Sequence, residues 1–270
     1  MALPEPAPDA VVVITGASSG IGSELARRLG ELGHDLILVA RRRDRLEALA
    51  AELRAAHGIE ATAAAVDLAD VDGRRRLIAD VEASGRFVAG LCNNAGFGSF
   101  GRVLELDAAR ETEMVELNVV AVHELTLAFV APMVARRSGA ILNVASIAAF
   151  QPVPGMATYA ATKAFVQSFS EALHAELAGT GVSCTVLSPG PVPTEFGEVA
   201  GTRPAESLVP GFVTGDAEEV ATAAVRGMLR GRRSVVPGTA TKALATGGRY
   251  VPRSILLEAA RRATGGRETG

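Results

Sequence analysis

The sequence predicts an α/β fold, a single doubly wound domain built on a parallel sheet of about seven strands with helices on both faces. From Ala10 onward, short runs rich in β-branched residues alternate with longer helical patterns, which is typical of repeated βαβ units. Several of the short runs are almost continuously apolar, as expected of strands that are covered on both faces. The 270 residues, 48% of them hydrophobic, suit one domain near the upper end of the ordinary size range.

Seven runs are the candidate strands, and helical patterns fill most of the intervals between them. In chain order they are Val11–Thr15, Asp35–Ala40, Thr62–Val66, Phe87–Asn93, Ala140–Ala145, Ser183–Leu187 and Ser234–Val236. Residues 1–9 lack the basic and apolar parts of a signal peptide and are expected to form a disordered lead-in to one domain over residues 10–270. The last part of that domain, residues 239–270, is a C-terminal extension. Because ligands of such sheets bind beyond the carboxyl ends of the strands, the residues that follow each strand are the candidate site residues.

Composition argues against several classes of function. A net charge of −3 gives no sign of a nucleic-acid-binding surface. The four histidines are scattered without paired spacing, so no metal site is predicted. Cys92 and Cys184 lie in apolar strand-like runs, which favours buried thiols, no disulfide and a reducing compartment. No run reaches 18 apolar residues, so a soluble, cytoplasmic protein is expected.

A glycine-rich turn follows the first strand and opens a helical pattern. Its sequence is Thr15-Gly16-Ala17-Ser18-Ser19-Gly20-Ile21-Gly22. Glycines let the backbone turn tightly and approach a pyrophosphate, while the amides and the dipole of a helix N-terminus favour its negative charge. The turn therefore predicts phosphate binding. The alternative is an ordinary loop between a strand and a helix.

Tyr159 and Lys163 are four residues apart in a segment with helical apolar spacing, Met156 to Leu177. The chain contains only two tyrosines and two lysines, so this pairing is notable. Residues at this spacing project from one helix face. An adjacent ammonium favours the phenolate, so the pKa of Tyr159 is expected to fall from its usual value near 10 toward the range useful for proton transfer. The alternative is a tyrosine and a lysine on a solvated helix face.

Three polar residues are further candidates. Asn118 lies in a long helical pattern, where asparagine is a poor helix former and needs a compensating role unless it is simply exposed. Ser146 follows the fifth strand and could donate a hydrogen bond to a carbonyl oxygen that gains negative charge, or cap the strand end. Asp67 follows the third strand and could accept from an adenine amino group or cap the next helix.

Taken together, these motifs resemble the short-chain dehydrogenase/reductase family over roughly Val11 to Thr194. The glycine turn resembles its cofactor motif, and Asn93-Asn94-Ala95-Gly96 resembles its Asn-Asn-Ala-Gly motif. The resemblance implies a Rossmann-type fold and a nicotinamide cofactor. It implies that Asn118, Ser146, Tyr159 and Lys163 are catalytic, with Asn118 anchoring a water of a proton relay. It implies cofactor contacts from Gly16, Ser18, Ser19, Gly20, Ile21, Gly22, Asp67, Asn94, Ala95, Gly96, Tyr159, Lys163, Pro189, Gly190, Val192 and Thr194.

The end of the second strand bears on the choice between NADP and NAD. NAD-binding relatives carry an acidic side chain there for the ribose 2′-hydroxyl, and the matching residue of this chain is Ala40. Arg41 and Arg42 follow, and a guanidinium can hold a 2′-phosphate through charge-assisted hydrogen bonds. NADP is therefore predicted over NAD, with Arg41 and Arg42 as the ligands. The alternative is a solvated basic run that opens the next helix, to which Arg43 is assigned.

The substrate is predicted to be a lipophilic carbonyl compound or secondary alcohol. Apolar residues are expected at the mouth of the site, although they could equally pack a lid or a subunit contact: Phe97, Phe100, Phe150, Pro152, Val153, Met156, Phe196, Leu208, Val209 and Phe212. The segment 191–215 resembles a mobile lid in its proline and glycine content. The basic tail, Arg249 to Arg262, is expected to pack on protein rather than on a membrane.

Several readings remain open at the level of function. The resemblance implies a homodimer or homotetramer. A non-catalytic NADP-binding sensor or scaffold on the same fold is the alternative function, since a fold does not fix an activity. An epimerase or dehydratase that uses the same tyrosine is a further possibility within the enzyme class.

Overall fold

The computed structural model describes residues 3–201, 215–251, 253–254 and 257–258. Its sheet has seven strands in the order β3-β2-β1-β4-β5-β6-β7, and every neighbouring pair is parallel. The predicted doubly wound α/β fold is thereby confirmed. The strands are β1 Ala10–Thr15, β2 Leu36–Ala40, β3 Ala61–Ala65, β4 Phe87–Asn93, β5 Gly139–Val144, β6 Val182–Leu187 and β7 Ser234–Val235.

Helices connect successive strands and cover both faces of the sheet. In the described residues they are α1 Gly20–Glu31, α2 Arg43–His57, α3 Val71–Ala83, α4 Ala108–Val115, α5 Val122–Arg136, α6 Ala157–Glu176, α7 Glu195–Ala200, α8 Ala217–Leu229 and α9 Thr239–Tyr250. A π-helical turn, Glu116–Ala121, joins α4 to α5. Short 3-10 turns lie at Val103–Glu105 and Ile147–Phe150.

Side-chain alternation along the strands divides the core between the two faces. In β1, Val12 and Ile14 pack with α1, α2 and α8, whereas Val11 and Val13 pack with α3, α5 and the end of α6. Successive residues of a strand point to opposite faces, so one apolar strand serves both layers. The strand order reverses at β1, between β2 and β4, which opens the crevice where such folds bind ligands.

The N-terminal segment differs from its expected state. The lead-in was predicted to be disordered, but the structure packs its described part, residues 3–9, against the domain. Leu3 is buried, its amide donates to the carbonyl of Met228 at 3.3 Å, and its side chain reaches Gly90 in β4. The burial of this leucine contributes about 2 kcal/mol toward holding the segment on the domain.

The helical run Ala108–Arg136 has the length and hydropathy of a membrane span. Core helices of soluble proteins meet the same criterion. Here Leu125, Phe129 and Met133 are buried in the cluster that also contains Leu91 and Ile141 of the sheet. The run therefore forms part of the core on one side and leaves its other side uncovered.

Two of the predicted features lie largely outside the described residues. The proposed lid, residues 191–215, is described only over 191–201 and at Gly215, and the C-terminal extension mainly over α9. Leu208, Val209 and Phe212, and the basic pair Arg261 and Arg262, lie outside the described residues.

Cys92 and Cys184 are both free and buried, and burial raises the pKa of each thiol to about 12.

Candidate active site

The hydroxyl of Thr15 joins the glycine-rich turn to the loop that follows β4. It donates to the carbonyl of Cys92 at 3.3 Å and accepts from the amides of Asn94 and Ala95, each at 3.0 Å. The Asn94 side chain also links the two loops, because it donates to the Thr15 carbonyl at 3.0 Å. Adjacent parallel strands bring these two loops to the same edge of the sheet, and the hydrogen bonds hold them as one unit.

Three glycines of the turn are required by geometry. Gly16 and Gly20 have φ values of 68° and 58°, a region that side chains rarely adopt. A Cβ on Gly22 would lie 2.2 Å from the Gly16 carbonyl oxygen, and one on Gly20 would lie 3.0 Å from Cγ2 of Thr194. The residue before α1, Ser19, makes no side-chain capping hydrogen bond to the helix. The first amides of α1 therefore face the crevice without a cap from Ser19.

Helix α6 brings Tyr159 and Lys163 to the end of β5, as their spacing predicts. Both are buried, with 7% and 5% of their surface exposed, so the solvated-face alternative is wrong. The Lys163 ammonium donates to the carbonyl of Val144 at 2.8 Å and lies 5.8 Å from the centre of the Tyr159 ring. Ser146 accepts from the amide of Ala148 at 3.2 Å, which caps the turn Ile147–Phe150. It also forms a side-chain hydrogen bond with Tyr159.

The acid–base properties of this pair differ from the sequence-based expectation. Burial raises the pKa of the Tyr159 phenol to about 12, and the hydrogen bond with Ser146 opposes that rise. The expected lowering by Lys163 is therefore wrong for the protein in this state, because desolvation dominates. The ammonium is directed at the Val144 carbonyl rather than at the phenol. Burial also lowers the pKa of Lys163 to about 8.

Asn118 lies in the π-helical turn and is fully buried. Its Oδ1 accepts from the amide of Phe97 at 3.1 Å, and its Nδ2 donates to the Phe97 carbonyl at 2.9 Å and to Thr162 Oγ1 at 3.1 Å. The exposed alternative is thus wrong. Such π turns inside helices occur frequently at functional sites. Asn118 does not line the cavity described below but fixes the loop and the helix that do.

Arg41 and Arg42 lie beside the glycine turn, and each has acidic partners. Arg41 lies 3.4 Å from a carboxylate oxygen of Glu113 and 3.8 Å from one of Asp67. Arg42 donates to Ser18 and Ser19 and forms an ion pair with Glu195 at 2.7 Å. Arg43 pairs with Glu47 within α2, as its assignment to that helix predicts.

Asp67 does not cap the helix that follows it. The N-cap of α3 is Asp70, whose side chain accepts from the amide of Gly73 at 2.9 Å. Asp67 accepts instead from the amide of Ala69 at 2.9 Å. The capping alternative is therefore wrong, and the carboxylate of Asp67 lies at the crevice.

One cavity of about 570 Å³ extends from the glycine turn to Tyr159. Of the predicted cofactor residues, Gly22 does not line it, since Gly22 packs beneath the turn. Those that do are Gly16, Ser18, Ser19, Gly20, Ile21, Arg41, Arg42, Asp67, Asn94, Ala95, Gly96, Tyr159, Lys163, Pro189, Gly190, Val192 and Thr194. Ser146 lines the cavity between these groups and the apolar end.

The apolar end of the cavity contains five of the predicted substrate residues, namely Phe97, Phe100, Val153, Met156 and Phe196. Phe150 and Pro152 are not part of the lining. Sequence reasoning missed Ile147, Gln151 and Glu195, which do line it. Glu195 could have been suspected only from its place directly after Thr194. Among the described residues, no group of three or more His, Cys, Asp or Glu side chains could hold a metal ion.

The chain is similar to known proteins in sequence and in fold. The family model for short chain dehydrogenases matches residues 10–204. A sulfoacetaldehyde reductase of Chromohalobacter salexigens is 37% identical over 188 residues, 69% of this chain and 74% of that protein. Another curated relative is covered over only 60% of its length.

Two solved structures extend the likeness to almost the whole chain. A short-chain dehydrogenase from Sphingobium yanoikuyae in complex with NADPH has a TM-score of 0.80 and 32% identity, with 96% of both chains covered. The bulky-bulky ketone specific alcohol dehydrogenase from Comamonas testosteroni has a TM-score of 0.75 and 28% identity, covering 96% of this chain and 94% of that one. The fold and the site thus define an oxidoreductase of the doubly wound α/β class. The chain belongs to the short chain dehydrogenase family.

Proposed function

We propose that this protein is an NADP-dependent oxidoreductase that interconverts a carbonyl group and a secondary alcohol on an apolar substrate. One observation carries the proposal. Ser146, Tyr159 and Lys163 meet in the same cavity as the glycine turn, at the end that is lined by apolar side chains. A group that can polarise a carbonyl, a phenol that can transfer a proton and a cradle for a dinucleotide are thereby placed side by side.

The residues of the crevice fit a dinucleotide. The turn has no side chain at its three glycines, where a Cβ would collide with Asn94, with Thr194 or with the Gly16 carbonyl, and the amides that open α1 suit a pyrophosphate. Ala40 supplies no acid for a ribose hydroxyl, and Arg41 and Arg42 suit a 2′-phosphate. The NADPH complex of the Sphingobium relative supports this choice. A bound nicotinamide would supply or accept the hydride.

The protein's own groups would handle the proton and the carbonyl oxygen. In the reducing direction, Tyr159 would donate its proton to that oxygen, and its raised pKa keeps the phenol protonated at neutral pH. The Ser146 hydroxyl would donate a hydrogen bond to the same oxygen as negative charge develops. Lys163 would hold a ribose hydroxyl and stabilise the phenolate, and Asn118 would position Phe97 and the relay.

The apolar end of the cavity favours a lipophilic ketone over an anionic substrate. Its described lining is mainly aromatic and aliphatic, and the arginines of the cavity, Arg41 and Arg42, lie at its other end. A sulfonate or carboxylate would need a cation near the reacting carbon. Arg110 lies over the ring of Phe97 at 4.7 Å but does not line the cavity, and Lys163, which does line it, is already engaged by Val144. The bulky-bulky ketone specificity of the Comamonas enzyme is consistent with this substrate class.

The test is NADPH oxidation with a panel of apolar ketones and aldehydes, with wild type and Tyr159→Phe compared side by side. The variant should lose about 10²–10⁴-fold in turnover, the usual contribution of a positioned proton donor, while its NADPH affinity stays within a few-fold. Repeating each positive with NADH tests the coenzyme. If Tyr159→Phe keeps most of its rate, the proposed mechanism is wrong. If the protein uses NADH as well as or better than NADPH, the assignment of NADP as coenzyme is wrong.

We further infer that a second copy of the chain covers the outer side of α5 and α6 in a soluble, cytoplasmic homo-oligomer. Leu127 is 53% exposed and Phe165 38% exposed on these helices. Phe165 stacks on Phe169 with ring centres 5.7 Å apart, and His123 packs against both rings. Contiguous exposed apolar side chains of this kind mark interaction surfaces.

A further inference from the structure

Arg42 and Arg45 follow β2 and form what we call the arginine corner. A carboxylate reaches this corner from a helix far along the chain. The end of β2, where NAD-binding relatives carry an acid, has Ala40 in this chain. Glu195, the first residue of α7, brings a carboxylate to the same corner. Its two oxygens lie 2.7 Å from Arg42 Nη1 and 2.5 Å from Arg45 Nη1. Both Glu195 and Arg42 line the cavity.

The guanidinium of Arg42 already makes four hydrogen bonds within the protein. Its Nε and Nη2 donate to Ser18 Oγ at 3.2 and 2.9 Å, and Nη2 also donates to Ser19 Oγ at 2.8 Å. The remaining nitrogen, Nη1, donates to Glu195. A guanidinium has five N–H donors, so a phosphate that makes more than one hydrogen bond to Arg42 must displace one of these partners.

The charge of Glu195 is permanent over the working range of pH. Hydrogen bonds from Arg45 first, and then from Arg42, lower the pKa of its carboxyl to about 2. The side chains of the two ion pairs, Arg42 with Glu195 and Arg45 with Glu195, are 36–50% exposed. The pairs therefore add little to the stability of the fold. What they do determine is the charge that an anionic ligand meets at this corner.

We propose that Glu195 is a specificity-determining residue, which lowers the preference for NADP by competing with the ribose 2′-phosphate for Arg42. This inference rests on the proposed function, in which Arg42 binds that phosphate. The carboxylate repels a phosphate, but it can accept a hydrogen bond from an unmodified 2′-hydroxyl. It therefore acts against NADP and in favour of NAD, from an element outside the second strand.

The experiment isolates the corner with two nucleotides that lack the nicotinamide. The first, 2′,5′-ADP, carries the 2′-phosphate, and the second, 5′-AMP, lacks it. Dissociation constants are measured by calorimetry for wild type, Glu195→Gln, Arg42→Gln and Glu60→Gln. Glu60 directly precedes β3 and pairs with Arg86 at the amino ends of the strands, away from the carboxyl ends where Arg42 lies, so its variant is a control for the loss of one negative charge.

Glu195→Gln should bind 2′,5′-ADP at least fivefold more tightly than wild type and 5′-AMP no more tightly. The ratio of kcat/KM for NADPH to that for NADH should rise by a similar factor. Arg42→Gln should weaken 2′,5′-ADP about tenfold or more, and Glu60→Gln should match wild type. An unchanged thermal midpoint of Glu195→Gln verifies that the variant is folded.

The two possible failures give different results. If Arg42→Gln leaves the affinity for 2′,5′-ADP unchanged, the proposed phosphate site itself is wrong. If Arg42→Gln weakens 2′,5′-ADP while Glu195→Gln leaves it unchanged or weaker, the phosphate site stands and the role of Glu195 is overturned. A gain for Glu60→Gln equal to that of Glu195→Gln would also overturn it, because the effect would then be one of net charge.

Discussion

Asn118 holds the backbone of Phe97 by two hydrogen bonds, one to its amide at 3.1 Å and one to its carbonyl at 2.9 Å. A third bond joins the same side chain to Thr162, one turn of α6 away from Tyr159. A single amide group thus connects the π turn, the loop after β4 and the helix of the proposed catalytic tyrosine. These three hydrogen bonds hold Asn118 in place independently of any role in proton transfer.

Replacing Asn118 by alanine should lower the free energy of unfolding by about 2–4 kcal/mol, since the Phe97 amide and carbonyl would lose their buried partner. Urea unfolding monitored by circular dichroism measures this loss. Thr162→Val removes the third hydrogen bond of Asn118 and the bond from Thr162 to the Tyr159 carbonyl, but leaves both bonds to Phe97, so it should cost less stability than Asn118→Ala. Equal unfolding midpoints for wild type and Asn118→Ala would show that water replaces both bonds.

Gly22→Ala should weaken NADPH binding by at least tenfold, because the new methyl group would collide with the Gly16 carbonyl at 2.2 Å and displace the cradle. Binding is measured by the change in NADPH fluorescence. Gly247→Ala is the matched control, since no atom lies within 4 Å of a Cβ there. That variant lies in α9 and should keep its affinity and gain up to about 1 kcal/mol of stability. Normal binding by Gly22→Ala would rule out the glycine turn as the cradle.

The affinity for NADPH should fall as the pH rises through about 8, because Lys163 then loses the proton that makes it a charged donor. The ammonium form prevails below that value and the neutral amine above it, so the loss lies on the alkaline side. A charge-assisted hydrogen bond is worth roughly tenfold or more in affinity. Titrations of the free protein with NADPH between pH 6 and 10 would follow the change. In Lys163→Met this step should vanish, and a step that persisted would belong to another group.

Leu127→Arg should shift the protein toward a smaller assembly, because it places a charge in the proposed contact between copies. Light scattering coupled to size-exclusion chromatography gives the mass directly. Leu244→Arg, at a second exposed leucine on α9, is the matched control and should keep the mass of wild type. Unchanged mass in both variants would place the contact elsewhere.

Sequence alone predicted the sheet well because buried parallel strands are short apolar runs between helices. Each strand was predicted to within one residue at either end; β1, for example, begins at Ala10 rather than at Val11. The residues of the cavity were predicted where they follow a strand or share a helix face. What failed depended on the environment in three dimensions. Burial, not the neighbouring Lys163, dominates the pKa of Tyr159.

Contacts between distant parts of the chain were equally hidden. Glu195 and Arg42 are 153 residues apart, and no local pattern relates them. The burial of Leu3 depends on space beside Gly90, which belongs to a strand far along the chain. The π turn at Asn118 could not be distinguished from an ordinary helix, because it continues the same helical run and no residue type in it marks the wider turn.

Gly98 lies beside two aromatic rings that pack on each other in the site, those of Tyr159 and Phe196. A Cβ at this residue would lie 2.9 Å from Phe196, 3.3 Å from Tyr159 and 3.5 Å from Ala200, and the two rings themselves are 5.4 Å apart. Because Gly98 has no side chain, Phe196 of α7 can lie close to Tyr159. A methyl group at residue 98 would press on both rings and move them apart, so the absence of a side chain at this one residue helps to set how large a molecule the site admits.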